Sequence, residues 1–380
     1  MNRRLRTVIA PGSRVAEDVG AGLTRLVQSL SSRPGLHHVS LALASGDGQH
    51  HWAGASGPAG ADEPDVRPET PFFIASITKR FIVTLVLQAH ERGELDLDAP
   101  VATYLPASMT TGLHVRGEVD RTPAMTVRHL ASHTSGLPDY FERRRGGPSL
   151  FRQLRAGNDT AWGFEDVIRI TREQQRPHFD PQDLAARRQR ARYSDTGFQL
   201  LIRILEGVSS SPYPELLTER IIGPLGLSRT WHPAAKPAEP NLAAPLPLYA
   251  RRRRVDVGSV IRSSNDLFST TEDLLTFERS LVAGEVFRDA STSQLLTERR
   301  NRLRNAPVLR YGLGTMIFRV NRLASPRRGS MSLVGHSGST GTWLFTCPEL
   351  DLHLVGTVDQ TEARGTPFRI MAKCLRIWAA

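Results

Sequence analysis

Lysine is almost absent from this chain of 380 residues, although basic residues are abundant. Only Lys79, Lys236 and Lys373 occur among 49 lysines and arginines. Arginine does not release its proton in a protein, so a side-chain amine that can titrate is available at only three places. A lysine in such a chain indicates a position where a titratable base is needed.

Cysteines are scarce, and long apolar runs and nucleic-acid motifs are missing. Cys347 and Cys374 cannot form a disulfide framework, and we expect both to be buried as small apolar residues. No stretch is apolar enough to span a bilayer, and the basic start of the chain lacks the apolar core of a secretory signal. No zinc-finger or RNA-binding signature is present. We therefore expect a soluble cytoplasmic protein with no membrane or nucleic-acid partner, no metal and no organic cofactor.

The net charge of +11 comes from arginines spread along the chain. They form short clusters at residues 143–145, 187–192 and 251–254. A solvated basic surface is one explanation. The alternative is a surface for an acidic partner, such as an acyl-carrier protein, or for a phosphate-bearing substrate.

The first candidate for chemistry lies between Phe72 and Phe81. Ser76 and Lys79 are three residues apart at the start of an apolar segment, and such positions share one face of a helix. The amine can then lie beside the hydroxyl, which is a poor nucleophile until a base takes its proton. A lysine is such a base only if its pKa falls by roughly 3 units, through burial or a second positive charge. The helix that follows is apolar nearly all round, so we expect it to be central and to end before Gly93.

Two later segments could complete a site around Ser76. A tyrosine beside a lysine cation can relay a proton to a leaving group, and Tyr193 is a candidate for this role. Asp195 could orient the amine of Lys79, although a tyrosine packed at a helix start with Asp195 as its N-cap would give the same pattern.

The segment from His336 to Gly341 is the second of these. Its small residues, Ser337, Gly338 and Ser339, let a ligand lie against the backbone, and the N–H of Ser339 could form an oxyanion hole with that of Ser76. His336 adds a donor, and a positive charge when protonated. A glycine-rich bulged strand with a surface histidine is the alternative.

A nucleophile elbow of the α/β-hydrolases is excluded at Gly335 to Ser339. The fifth residue of the pattern is serine instead of glycine. The acid and the histidine that such a fold needs well downstream are missing as well, because the only later histidine is His353, beside Asp351.

Both ends of the chain read as β-structure, and the middle reads as helices and loops. A hairpin is expected at residues 39–53, and strands near 311–320, 343–347 and 352–358. Because a single hairpin is marginal in water, the two ends should share one sheet. We therefore expect a mixed α/β (α+β) fold: one antiparallel sheet built from both chain ends, flanked by helices, with an all-helical insertion. The whole chain, 1–380, would be one catalytic domain, with an α/β subdomain at 13–105 plus 266–380 and a helical subdomain at 106–265.

The order and separation of Ser76-x-x-Lys79, Tyr193-Ser194-Asp195 and His336-Ser337-Gly338 resemble the three motifs of the penicillin-recognising serine hydrolases. The nearest branch contains class C β-lactamases, D-Ala-D-Ala carboxypeptidases, D-aminopeptidases and related esterases and acyltransferases. The segments 126–130, 133–139 and 224–227 are similar to connecting segments of that branch, and the likeness covers roughly residues 35 to 360. It implies the β-lactamase/transpeptidase-like fold.

The resemblance also implies a role for each motif residue. Ser76 would be acylated, Lys79 would be its base and Tyr193 would carry the proton to and from the leaving group. The N–H groups of Ser76 and Ser339 would hold the oxyanion, and substrate would lie along an edge strand that contains His336.

Two departures from the family pattern bear on the substrate. Asp195 replaces a frequent asparagine, and its charge would raise the pKa of Lys79 and favour Tyr193 as the working base. His336 replaces a frequent lysine, which weakens the anchor for a substrate carboxylate and disfavours β-lactam hydrolysis. The expected activity is cleavage of an ester or amide in a small molecule or peptide; the alternatives are an acyltransferase or amide synthase and, less favoured, a non-catalytic basic scaffold protein.

Overall fold

The computed structural model describes residues 3–8, 17–58, 66–142, 145–320, 329–363 and 365–379. The described helices are α1 (Glu17–Ser31), α2 (Thr78–Glu91), α3 (Ala107–Thr110), α4 (Val127–Ala131), α5 (Leu150–Ala156), α6 (Phe164–Arg169), α7 (Asp195–Ser209), α8 (Tyr213–Leu217), α9 (Gly258–Ser264), α10 (Thr271–Ala283) and α11 (Thr366–Trp378). The described strands are β1 (Arg3–Val8), β2 (Val39–Ser45), β3 (His51–Pro58), β4 (Phe72–Phe73), β5 (Val115–Arg116), β6 (Val119–Asp120), β7 (Leu248–Ala250), β8 (Arg253–Val255), β9 (Phe268–Ser269), β10 (Asn301–Arg302), β11 (Leu309–Tyr311), β12 (Met316–Val320), β13 (Met331–Ser337), β14 (Thr342–Cys347) and β15 (Leu352–Thr357).

One antiparallel sheet of nine strands joins the two ends of the chain. Its order is β1-β3-β2-β15-β14-β13-β12-β11-β10. The N-terminal hairpin β2–β3 meets the C-terminal strands where β2 pairs with β15, with Leu43 opposite Leu354. Both of these strands are buried at every residue, which is expected of a sheet covered on both faces. The predicted mixed fold with a sheet from both chain ends is therefore confirmed.

Helices cover both faces of the sheet and create two apolar layers. On one face, α1 and α11 bury Leu23 and Leu375 against Trp52 and Trp343. On the other face, α2 and α10 pack against strand residues such as Leu344. Strand β1 pairs with β3 at one edge and was not expected from the sequence; the remainder of the first sixteen residues, and Arg143 and Arg144, lie outside the described residues.

Helix α2 is the buried centre of the molecule. All of its residues from Thr78 to Ala89 are buried, which fits its apolar sequence on every side. The ring of Phe81 stacks on that of Phe277 of α10 at a centroid distance of 3.7 Å. The helix ends as predicted, because Gly93 follows its C-cap residue and adopts a left-handed φ of 71°.

A buried ion pair fixes α2 to α10. The guanidinium of Arg80 donates from Nη2 to Glu278 Oε1 at 2.7 Å, and the two side chains are 1% and 0% exposed. Arg80 Nη1 also donates to Thr315 Oγ1 at 2.8 Å, and Thr346 Oγ1 of β14 donates to Glu278 at 3.2 Å. Two helices and the sheet therefore share one satisfied polar network, which the sequence did not indicate.

The segment between α2 and β9 contains helices α3 to α9 and also two short hairpins, β5–β6 and β7–β8. The expectation of an all-helical insertion missed these hairpins. The N-cap of helix α10 is Thr270, whose side chain accepts from the N–H of Asp273. The subdomain boundaries at 106 and 265 stay a prediction.

Among the described residues, no helix combines the length and the apolar character needed to cross a bilayer.

Candidate active site

Ser76 stands at the junction between a short strand and the central helix. Strand β4 pairs with β9, and the N–H of Ile74 then donates to Leu267 O at 3.0 Å. Ala75 has a left-handed φ of 48°, which costs an L-residue with a Cβ about 1–2 kcal/mol. A 3-10 turn, Ala75–Ile77, leads directly into α2. Ser76 is the one partly exposed residue between Pro71 and Ala89, so the chain presents this side chain from an otherwise buried segment.

Lys79 lies beside Ser76 as the spacing predicted. Its Nζ is 3.2 Å from Ser76 Oγ, and the side chain of Lys79 is 4% exposed. The ammonium forms an ion pair with Asp195 at the start of α7. It also lies 5.2 Å from the ring centre of Tyr193 and 5.3 Å from that of Phe198.

The pKa of Lys79 moves in the direction opposite to that of a free-amine base. Burial lowers it, but the charges of Asp195 and Asp266 outweigh burial and raise the pKa to about 12. The fall in pKa that a lysine base requires is therefore not found for Lys79, and the effect of Asp195 has the expected sign. At neutral pH Lys79 is an ammonium ion.

Tyr193 approaches the same hydroxyl from the segment before α7. Asn305 fixes its backbone with two hydrogen bonds: the N–H of Tyr193 donates to Oδ1 at 3.1 Å, and Nδ2 donates to the carbonyl of Tyr193 at 3.3 Å. Burial and the charge of Asp195 raise the pKa of the phenol well above its ordinary value, while a hydrogen bond with Ser76 acts in the opposite direction. Tyr193 is thus a neutral donor at neutral pH.

Two further carboxyl groups interact with this cluster, and they were not predicted from the sequence as site residues. Burial raises the pKa of Asp266 to about 6, although the nearby Lys79 lowers it. Burial and the charge of Asp195 raise the pKa of Asp139 well above its ordinary value. Asp266 lies next to Leu267, whose N–H donates to Thr78 Oγ1 at 3.0 Å; no local sequence pattern reports that tertiary contact.

The segment 337–341 reaches Ser76 through its backbone. Gly338 lies so close to the nucleophile segment that an added Cβ would be 2.9 Å from Ile74 O and 3.0 Å from the Cβ of Ala75. Thr342 Oγ1 donates to Ile74 O at 3.1 Å. These contacts hold the turn that carries Ser339 against the turn that carries Ser76.

His336 does not present a donor or a positive charge to the site, contrary to expectation. Its side chain is fully buried. Nδ1 donates to the carbonyl of Ser337 at 2.9 Å, so Nε2 accepts from the hydroxyl of Tyr311, also at 2.9 Å. Burial and the charge of Lys79 hold the pKa of this imidazole well below its ordinary value. A neutral His336 and Tyr311 thus form a wall behind Tyr193, and Tyr311 is a residue that the sequence analysis missed.

The strand that contains His336 is also not an edge strand. β13 pairs with β12 on one side and with β14 on the other. Its last two residues extend beyond β12, because the pairing with β12 ends where Met316 lies opposite Gly335. Ser337 Oγ donates to Met316 Sδ at 3.4 Å. The segment then turns into β14 instead of a helix, which agrees with the exclusion of a nucleophile elbow.

His133 completes the aromatic wall. It adopts a left-handed φ of 58°, and its ring centre lies 4.4 Å from that of Tyr193 and 4.4 Å from that of Tyr311. The N–H of Ser194 donates to its Nδ1 at 3.2 Å. Burial and the charge of Lys79 hold its pKa well below the ordinary value, so this imidazole is neutral as well.

The described residues contain no cluster of histidine, cysteine, aspartate and glutamate suited to a metal ion. The arrangement at Ser76 places a serine hydroxyl between an ammonium and a phenol.

A family model described as beta-lactamase matches residues 23–368. The chain belongs to the beta-lactamase family. This agrees with the resemblance drawn from the three motifs, and the recognition of the family is confirmed.

The chain is similar to several named proteins. The chain is similar to penicillin-binding protein 4* of Bacillus subtilis, with 24% identity over 337 residues, 83% of this chain and 66% of that protein. It spans two thirds or less of the length of the first curated relatives that it matches. Its structure is similar to that of a D-stereospecific amidohydrolase from Streptomyces sp., with 25% identity, coverage of 90% and 94% and a TM-score of 0.68. The fold is shared with EstCE1, a hydrolase with promiscuous acyltransferase activity, at 19% identity, coverage of 96% and 99% and a TM-score of 0.72.

Proposed function

We propose that this protein is a serine hydrolase that forms an acyl-enzyme on Ser76 and cleaves an ester or an amide. One observation supports this above the others: the hydroxyl of Ser76 contacts both Lys79 Nζ, at 3.2 Å, and the phenol of Tyr193. A nucleophile beside two groups that can exchange protons with it is the arrangement that acyl transfer needs.

In the proposed reaction, Ser76 Oγ attacks the carbonyl carbon of the substrate and loses its proton to Tyr193, acting as a phenolate. The ammonium of Lys79 stabilises that phenolate. Tyr193 then protonates the leaving alcohol or amine as the carbon–oxygen or carbon–nitrogen bond breaks. Water attacks the acyl-enzyme in the second half, with the same groups in reverse. Because the pKa values of Lys79 and Tyr193 are both raised, the reactive form is rare at neutral pH and the rate should climb into the alkaline range.

The N–H groups of Ser76 and Ser339 are the proposed oxyanion hole. The support is the close packing of Gly338 on Ala75 and the hydrogen bond from Thr342 to Ile74, which keep the two turns together. One such donor contributes about 3–4 kcal/mol to transition-state stabilisation in well-studied hydrolases. Ser337 and Gly338 would lie against the substrate backbone.

The charge around Ser76 favours a substrate without a carboxylate next to the scissile bond. Lys79 is neutralised by Asp195, and the imidazole of His336 is neutral and buried. Among the described residues, the wall formed by His336 and Tyr311 offers no cation to anchor a carboxylate. We therefore infer that neutral esters and amides, including D-amino-acid amides and peptides, react faster than β-lactams.

Intact-mass spectrometry after incubation with a fluorophosphonate probe tests the proposal. We expect one adduct per chain, mapped to Ser76, and none with Ser76→Ala. Lys79→Arg keeps the charge but alters the position of the donor, and it should slow labelling strongly while the circular dichroism spectrum stays unchanged. An unlabelled wild-type protein across the pH range, or labelling at another serine, would refute the assignment.

A second measurement identifies the acyl acceptor. Turnover of a small panel of an ester, a D-amide, a D-Ala-D-Ala peptide and a β-lactam should be followed with and without an added amine or alcohol. Release of free acid alone supports a hydrolase; transfer to the added nucleophile supports the acyltransferase or amide-synthase alternative. The cytoplasmic location stays a prediction that cell fractionation can test.

A further inference from the structure

Two parallel segments beside the active site expose arginines at matching positions. Residues 189–193 run parallel to residues 301–305: the N–H of Gln189 donates to Asn301 Oδ1 at 3.1 Å, Ala191 bridges to Leu303, and Tyr193 is bonded to Asn305. Alternate residues of extended segments point to opposite sides. The buried residues of one segment therefore lie beside the buried residues of the other, and the arginines between them face solvent in two parallel rows. We define the arginine surface as the exposed residues Arg188, Arg190, Arg300, Arg302, Arg304 and Arg310.

The charge of the arginine surface is not neutralised within the protein. No carboxylate of the described residues forms an ion pair with any of the six guanidinium groups. Arg302 lies directly opposite Arg310 in the antiparallel pair of β10 and β11. Like charges in that position destabilise a sheet. Backbone carbonyls hold two of the side chains, because Arg302 Nε donates to Pro307 O at 2.9 Å and Arg310 Nη1 to Arg300 O at 3.3 Å.

An apolar tip protrudes between these cations. The turn between β10 and β11 contains Ala306, Pro307 and Val308, and Val308 is 75% exposed, the highest value among the large exposed apolar side chains of the described residues. A small apolar tip flanked by cations is the combination that binds the headgroup region of an anionic bilayer. Among the described residues of this surface, no aromatic side chains alternate with the arginines in the way that single-stranded nucleic acids need for stacking.

The hairpin is tied directly to the catalytic cluster. Asn305, at its tip, makes the two hydrogen bonds that fix the backbone of Tyr193, and the N–H of Arg304 donates to Ala191 O at 2.8 Å. We propose that the arginine surface and the apolar tip dock on an anionic lipid surface, which would bring the mouth of the active site to substrates held at a membrane. This proposal departs from the expectation of no membrane partner, which rested on the lack of a spanning segment; peripheral binding needs no such segment. The binding can be measured without reference to the proposed hydrolase activity.

Co-sedimentation of the full chain with vesicles tests this proposal. We expect the wild type to sediment with vesicles of phosphatidylcholine containing about 30% phosphatidylglycerol, but not with pure phosphatidylcholine. Raising sodium chloride from about 0.1 M to about 0.5 M should weaken the binding at least tenfold, because salt screens exposed charges. Arg302→Glu with Arg310→Glu should weaken it at least tenfold at low salt.

The matched control is Arg25→Glu with Arg33→Glu. Both arginines are exposed, and they lie on and after α1, which packs on β1, β2 and β3 at the opposite end of the sheet from β10. This variant has the same net charge as the test variant and should bind vesicles within about twofold of the wild type, if the site and not the overall charge decides.

Val308→Asp separates the bilayer from other anionic partners. The uncharged replacement Val308→Asn is used beside it for this purpose: it should weaken vesicle binding but leave binding of poly-glutamate unchanged, because only the bilayer buries the tip. Thermal unfolding of each variant checks that it is folded, and Arg302→Gln with Arg310→Gln replaces the charge reversal if that variant unfolds. Equal vesicle binding by test and control variants overturns the proposal, and so does binding of poly-glutamate or RNA without binding of vesicles.

Discussion

At the scale of single residues, the charge of Asp195 decides how the site behaves with pH. The carboxylate pairs with Lys79, and it raises the pKa of both the ammonium and the neighbouring phenol. Neither group is therefore a ready base at neutral pH, even though both contact the nucleophile. Residue 195 is where the chain departs from the asparagine that the family frequently has.

Replacing this one charge should shift the pH profile of the reaction. In Asp195→Asn the opposing charge is lost while burial persists, so the pKa of Lys79 falls from about 12 towards or below its ordinary value, and that of Tyr193 falls as well. The rise of kcat/KM with pH should begin at least one unit lower, which increases activity near pH 7.5 about tenfold. Measured pH–rate profiles of the variant and the wild type check this; Asp180→Asn, at an exposed ion pair, should leave the profile in place. A profile that moves to higher pH would contradict the assignment of Asp195.

At the scale of elements, the site depends on how two turns and two helices are held together. The turn after β13 packs on the turn before α2 through Gly338. Helix α2 is in turn fixed to α10 by Arg80 and Glu278. Neither contact includes the nucleophile itself, yet both determine where it lies.

Gly338→Ala should separate the two turns. The added Cβ would be 2.1 Å from Thr342 Oγ1 and 2.9 Å from Ile74 O, so the turn that carries Ser339 has to move. A displacement of about 1 Å at an active site can cost about 100-fold in rate, and we expect a loss of that size in kcat/KM with a cooperative thermal transition retained. Gly207→Ala is the matched control, because its Cβ would meet only Tyr104 O at an ordinary 3.7 Å. Unchanged turnover in Gly338→Ala would argue against Ser339 as an oxyanion donor.

Removing Glu278 should destabilise the fold far more than removing an exposed carboxylate. Glu278→Ala leaves the guanidinium of Arg80 buried without its counter-ion, and broken buried pairs of this kind lose about 3–5 kcal/mol in the free energy of unfolding. Asp180→Ala breaks the exposed pair with Arg116, where the two side chains are 44% and 48% exposed, and should change it by less than about 1 kcal/mol. Urea unfolding followed by circular dichroism measures both, and similar losses in the two variants would refute the argument.

At the scale of the whole molecule, the central helix belongs to both halves of the structure. One apolar cluster contains Phe81 and Val86 of α2, Leu130 of α4, Leu201 of α7 and Leu344 of the sheet. The helices between α2 and β9 therefore bury their inner faces on an element that precedes them in the chain. The two predicted subdomains therefore both contribute to this cluster.

A fragment of residues 106–265 should accordingly fail to fold by itself. Without α2, helix α7 loses the surface that it buries against that helix, and isolated helices of this length are marginal in water. We expect a broad, uncooperative loss of ellipticity on heating, whereas the full chain unfolds in a sigmoidal transition. A steep transition of the isolated fragment would show that the helical subdomain is an independent folding unit.

Composition and spacing in the sequence were enough to single out Ser76, Lys79 and Tyr193 and to identify the central helix and most strands of the main sheet. The rarity of lysine singled out Lys79, the three-residue spacing placed it beside Ser76, and apolar periodicity identified α2 and the strands at both ends. These are local properties of the chain that composition and spacing indicate directly. They were sufficient for the family and for the fold.

The charge state and the surroundings of those residues depend on tertiary contacts. A pKa depends on burial and on charges from distant segments, so the ammonium of Lys79, the neutral wall of His336 with Tyr311, and the carboxyl groups of Asp139 and Asp266 could not be read from spacing. The burial of His336 follows from the position of β13 inside the sheet, which is set by pairing with β12 and β14. Such pairings join residues far apart in the chain, and the local sequence does not indicate the electrostatic field that one segment exerts on another.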